Sequence, residues 1–224
     1  MRTLAFVLIV LFGCASVATA DVIYQITVDT SSISGTAGSL DFNFDPGPLV
    51  TQAASLQILD FTSDGTLTAC AANIQGFCPT GDVTGTLPGT VAFDNGTAFN
   101  DYFDGFTFGS TLSFQLDLGG PAINNADGVS TSGSTFAFSM FSDSAGTIPA
   151  LTTDTTDGFS VTVDVNLDGS TTVNNFSSQT MVSPVVASTP EVGGVVQLGT
   201  GVALMGVLAW FKRRGSQNAN LRRT

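Results

Sequence analysis

From Val22 onward the chain alternates apolar and polar side chains with a period of two, the pattern of strands that bury one face. Val22, Tyr24, Ile26 and Val28 predict a first strand; Leu40, Phe42 and Phe44, set between Asp41, Asn43 and Asp45, predict a second that Pro46-Gly47-Pro48 ends. A run over 55–61, closed by Ser63-Asp64-Gly65, predicts a third, with 66–71 returning as its hairpin partner. Further strands are predicted at 90–93, at Leu112-Phe114-Leu116-Leu118 and at Phe136-Phe138-Met140. The alternation is cleanest from Phe159 to Leu167, where Asp168-Gly169 reads as a hairpin turn into 171–176. Residues 81–89 and 119–133 read as turn-rich links. One stretch departs from the pattern: Phe99, Phe103 and Phe106 recur at helical spacing within 98–108 and predict a short amphipathic helix covering one end of a β core. About eight to ten short strands with Gly, Asp and Asn turns predict an all-β fold, an antiparallel β-sandwich of jelly-roll-like form over 21–188.

The pattern changes at both ends. Arg2 precedes an apolar run over 4–12, and Ala18-Thr19-Ala20 forms an A-x-A site before Asp21, so 1–20 reads as a signal peptide and signal helix. Leu11-Phe12-Gly13-Cys14 offers a competing lipobox with Cys14 acylated, but Phe12 is bulky for that site and the better cut lies six residues on. At the other end, 192–211 carries no ionisable group, and as a helix it reaches about 30 Å, the thickness of a bilayer's hydrocarbon core. Lys212, Arg213 and Arg214 follow at once, a basic cluster of the kind retained on the cytoplasmic side, which makes 215–224 a cytoplasmic tail.

Pro190-Glu191, the Gly- and Leu-bearing apolar run and the immediate Lys212-Arg213-Arg214 cluster together resemble the PEP-CTERM sorting signal of bacterial exosortase substrates. The resemblance covers 189–214, with Val192 where the family has a second proline and a tail of ten residues after the cluster. It implies transient anchoring in the membrane, recognition by a membrane-embedded exosortase-like enzyme, and removal of the tail near Pro190-Glu191. Phrases such as Asp82-Val83-Thr84-Gly85 and Asp164-Val165-Asn166-Leu167-Asp168-Gly169 are also similar to the bodies of exported PEP-CTERM proteins, a likeness that implies a location and no activity.

Charge sharpens the picture of the body. Every basic residue is Arg2 or lies after Phe211, there is no histidine, and the net charge is −12. A body with carboxylates and no cation forms no internal ion pairs, and without cations to displace counterions it does not bind nucleic acid. Cys70 and Cys78 are the cysteines left after signal removal, and an exported pair is expected to be bridged; two thiols without His cannot complete a tetrahedral metal site.

Candidate chemistry is sparse. Asp164, Asn166, Asp168 and Gly169 match the start of an EF-hand-like Ca²⁺ loop, but Asn175 stands where the bidentate Glu belongs, and the same residues fit the polar face of a strand. Asp101 and Asp104 are a carboxylate pair of the kind glycosidases use, in a body lacking His, Lys, Arg and any Glu before Glu191. Tyr24 and Tyr102 are the only Tyr or Trp available in the body as a sugar platform. Asn95-Gly96-Thr97 and Asn175-Phe176-Ser177 are sequons read as accidental in this context. The expectation is a non-catalytic, exported surface or extracellular-matrix component without a cofactor, handled by export machinery and a sorting enzyme. The alternatives are a carbohydrate- or Ca²⁺-binding module with an extracellular polysaccharide as partner, and, behind it, a glycoside hydrolase.

Overall fold

The computed structural model describes residues 21–68 and 78–185, all within one unit of the chain, Met1–Ala187. The signal peptide, Cys14, Cys70 and the sorting signal from Pro190 to Arg214 lie outside the described residues, and among the described residues no helix is long and apolar enough to cross a membrane.

Two antiparallel six-stranded sheets enclose a single core. One has the order β12-β1-β8-β3-β6-β5, built from β1 (Val22–Asp29), β3 (Ser55–Ser63), β5 (Val83–Gly85), β6 (Val91–Asp94), β8 (Thr111–Gly119) and β12 (Thr180–Val185). The other has the order β11-β10-β9-β2-β7-β4, from β2 (Ala37–Pro46), β4 (Thr66–Leu67), β7 (Asp101–Thr107), β9 (Ser134–Phe141), β10 (Phe159–Val165) and β11 (Thr171–Asn175). Helix is confined to a 3₁₀ turn at Ser31–Ile33 and to α1 (Pro121–Asn124) among the described residues.

The period-two pattern explains the core directly. Ile26 faces Phe114 and Val28 faces Leu112 in the first sheet; Leu40, Phe42 and Phe44 face Met140, Phe138 and Phe136 in the second. The faces meet in an aromatic cluster in which Phe114 lies 5.2 Å from Phe42 at 74° and 5.2 Å from Phe138 at 70°, edge-to-face geometries that suit the ring quadrupoles. With no Lys, Arg or His between 21 and 185, these contacts and backbone ladders carry the stability that ion pairs cannot.

Three expectations are corrected. The stretch 98–108 is β7 and not a helix: Tyr102 and Phe106 share the inward face with Phe42 and Gly38 opposite, and Phe103 turns outward, so two-residue alternation overrides the helical spacing of Phe99, Phe103 and Phe106. The segment after Gly65 does not return beside β3; β4 crosses to pair with β7 in the other sheet. The links at 81–89 and 119–133 contain β5 and α1. The Asp168-Gly169 hairpin is as expected, with Gly169 at φ +82, the left-handed region that favours glycine.

The registers sort the loops between two ends. Loops 46–54, 95–100, 120–133 and 166–170 gather where both Asp21 and Val185 lie, tied by Asn95 Nδ2 donating to Ser134 Oγ (2.8 Å), Gln52 Nε2 to Asn125 O (2.9 Å) and Asn124 Nδ2 to Asp21 Oδ1 (3.3 Å). Loops 30–36, 64–65, 86–90, 108–110, 142–158 and 176–179 form the opposite end.

Candidate functional site

The chemically unusual groups of the body converge on β2 and β7. Asn43 pairs with Asp101 and Asp41 with Phe103, so Asp41 and Asp101 are diagonal neighbours on the outer face of the sheet, within reach of each other. Two carboxyl groups this close repel when both are ionised, and a proton held between them relieves that repulsion. Asp101 is 9 % exposed, and burial, the charge of Asp41 beside it and the more distant charge of Asp45 push its carboxyl up to about 9. Asp41 is also raised, by burial first, against the bond from Asp101 and the amide of Asn43, whose Nδ2 donates to Asp41 Oδ1 at 2.8 Å. Near neutrality Asp101 therefore carries the proton and donates it to the Asp41 carboxylate; Asp101 Oδ1 is buried with no partner. Asp45 is raised by burial and accepts the Asn100 N–H at 2.7 Å.

Asn100, fully buried, fastens this strip to loop 95–100 with every polar atom of its amide. Nδ2 donates to Phe44 O and Thr97 O, both at 2.9 Å, and Oδ1 accepts from Asp82 N (2.9 Å) and from Thr97 Oγ1. A neutral amide serves here because the body holds no cation to pair with a buried carboxylate.

Asp101 and Asp104 do not form one site. Three residues apart on a strand, they point to opposite faces of β7: Asp104 pairs with Leu40 on the inner side. There it is 3 % exposed, and burial raises its carboxyl to about 6 against the hydrogen bonds it accepts. Tyr102 Oη donates to Asp104 Oδ2 at 3.3 Å and accepts the Leu87 N–H at 3.0 Å, so the tyrosine is an internal strut and not an exposed sugar platform. Tyr24 is likewise engaged, with Oη 2.7 Å from Thr171 Oγ1 across the two sheets.

The Ca²⁺ candidates are engaged in the hairpin. Asp164 accepts from Thr135 Oγ1 (2.7 Å) and Asn174 Nδ2 (3.0 Å); Asn166 Nδ2 donates to Ser170 Oγ and Thr172 Oγ1, both at 3.0 Å; Asp168 Oδ1 accepts from Ser170 N (3.0 Å) and Ser170 Oγ (2.6 Å). Among the described residues no group of three or more His, Cys, Asp or Glu is placed to hold a metal ion. The sequon asparagines are occupied too: Asn95 donates to Gln52 O and Ser134 Oγ and accepts from Ala54 N, while Asn175 Nδ2 donates to Thr180 O at 2.7 Å. Cys78 donates its backbone N–H to Phe103 O at 2.8 Å; its expected partner Cys70 lies outside the described residues.

A surface pocket of ≈ 340 Å³ opens at the opposite end, between β3, β4 and Pro88. Phe61 and Phe106 form its floor at 6 % and 2 % exposure, with Thr62 and Ser63 at the rim.

Asp41, Asp45 and Asn100 were not legible as a site, because their convergence depends on the β2–β7 register; the only signal was the run of polar residues alternating with phenylalanines. Compared with family models, curated proteins and solved structures, the chain matches none.

Proposed function

We propose that the body is a non-catalytic surface or extracellular-matrix component, exported through its first twenty residues and tethered through 192–211 until a membrane-embedded sorting enzyme releases it near Pro190-Glu191. The observation that carries this reading is that Asp21 and Val185 lie at the same end of the body, so that the cleavage junction of the leader and the start of the tether share one end. The chemistry agrees: the body offers a proton shared between Asp41 and Asp101 but no imidazole, amine or guanidinium to work with it, which leaves general acid–base and oxyanion chemistry without a partner. The strand order supports a jelly-roll winding, with β1-β8-β3-β6 in one sheet opposite β2-β7-β4 in the other, and β9, β10, β11 and β12 as additions at one side. A Cys70–Cys78 bridge would close a short loop, worth about 2.5 kcal/mol by chain entropy.

The intact mass of the protein, compared in cells with and without a candidate sorting enzyme, tests the reading. A species ending near Pro190 only where the enzyme is present supports it; an intact Thr224 in both samples counts against it. The pocket beside Pro88 is the one observation that favours a carbohydrate-binding module instead. A glycan array with a calorimetric Ca²⁺ titration of the same protein decides between them, since tight binding of either ligand would replace the inert reading.

A further inference from the structure

The exposed large apolar side chains of the body are distributed unevenly. Among the described residues Leu49, Val50, Phe99, Val129, Leu167 and Val185 all lie at the end where Asp21 and Val185 lie, whereas only Ile148 marks the opposite end, and Val173 and Met181 sit on edge strands. Leu49, Val50 and Val129 are 66 %, 67 % and 75 % exposed. They are held out and not merely loose: Val50 O accepts the N–H groups of Thr131 (2.9 Å) and Ser132 (3.1 Å), and Asp127 Oδ1 caps Val129 N (2.9 Å) and Ser130 N (2.9 Å). Leu167 borders the same cleft as Ser132 and Thr51. Grouped apolar tips on a soluble body mark a contact surface.

The chain beyond this end indicates what the contact is. Only residues 186–191 separate Val185 from the apolar run that begins at Val192, and a segment of that length spans about 20 Å at most when fully extended. We propose that this end of the body is a bilayer-contacting surface, with Leu49, Val50, Val129 and Leu167 entering the headgroup region of a zwitterionic membrane. The surface takes lipid through apolar insertion, because a body without Lys or Arg has nothing with which to attract anionic headgroups. The inference rests on the anchoring role of 192–211.

The full chain carrying Trp210→Phe supplies a background without tryptophan. Into it are placed, singly, Leu49→Trp, Val129→Trp and, at the opposite end, Ile148→Trp, all at exposed positions that tolerate a larger side chain. Each protein is reconstituted into phosphatidylcholine vesicles containing lipid brominated near the headgroup, and vesicle flotation is scored first. The expected result is flotation of all three, with quenching at positions 49 and 129 at least threefold stronger than at 148. Flotation with equal, weak quenching at all three positions overturns the bilayer-contact proposal and leaves the anchor intact. Failure to float removes the anchor itself, and the proposal with it. Quenching that grows when phosphatidylglycerol is added contradicts the apolar basis, and an emission change that follows protein density and ignores bromine assigns the surface to a second copy of the chain.

Discussion

Asp101 and Asp64 are the same residue in one cation-free body, yet their surroundings drive them in opposite directions. Asp64, in the turn between β3 and β4, is exposed; the hydroxyl of Ser110 and the backbone N–H of Thr111 hold its carboxyl down at about 2. Asp101, on the outer face of β7, is buried beside Asp41 and raised to about 9. Asp29, Asp127, Asp143, Asp154 and Asp168 follow the Asp64 pattern, each accepting N–H or O–H donors at a turn and each lowered. In the absence of Lys and Arg, oriented donors replace counter-ions for the surface carboxylates, and where too few reach a buried one a proton does instead.

The comparison is tested most severely by removing the neutral hub of the buried strip. Asn100→Ala strips donors or acceptors from Phe44, Thr97 and Asp82 and is expected to lower unfolding stability by about 3 kcal/mol in urea denaturation, against little change for Asp64→Asn at neutral pH. Asp101→Asn keeps a donor toward Asp41 and needs no trapped proton. It should stabilise the body at pH 8 by on the order of 1–3 kcal/mol, because the folded state no longer has to take up a proton that the unfolded chain has lost. Tyr102→Phe leaves the Leu87 N–H and Asp104 without their shared partner and should cost about 1–2 kcal/mol.

The pH dependence carries the sign of the comparison. Asp101 and Asp104 have folded values above the unfolded 3.8, so the folded state binds more protons and their contribution falls as pH rises, over about 4 to 6 for Asp104 and up to about 9 for Asp101. For Asp64 the order is reversed: its contribution is present above 3.8 and is lost as pH falls toward 2. Melting temperature should therefore decline from pH 5 to pH 9 in the parent and decline less in Asp101→Asn. The smallest effect is in Asp64→Asn, which should lie slightly below the parent above about pH 4 and converge with it as pH falls toward 2. An Asp101→Asn profile as steep as the parent's would assign the slope to general charge repulsion.

Much of the fold was legible because alternation is a local signal. Val22 to Val28, Leu112 to Leu118 and Phe159 to Val165 each state their inward face without knowledge of a partner. Residues 98–108 misled because phenylalanines fall on both faces of β7, Phe106 inward and Phe103 outward, and two faces of a strand sampled together mimic a helical stripe. The buried carboxylate strip was not legible, since Asp41 and Asp101 are brought together by a register between strands some sixty residues apart, and composition does not reveal which aspartate loses its water. β12 was missed because Thr180–Val185 buries little besides Thr180 and carries Pro184 at a sheet edge.

The cation-free body is proposed to be cargo, exported through its first twenty residues and tethered through 192–211. Intact-mass analysis of the protein from fractionated cells tests this most directly. The account predicts a chain beginning at Asp21 in the membrane or extracellular fraction; a full-length chain, Met1 to Thr224, dissolved in the cytosol would contradict it.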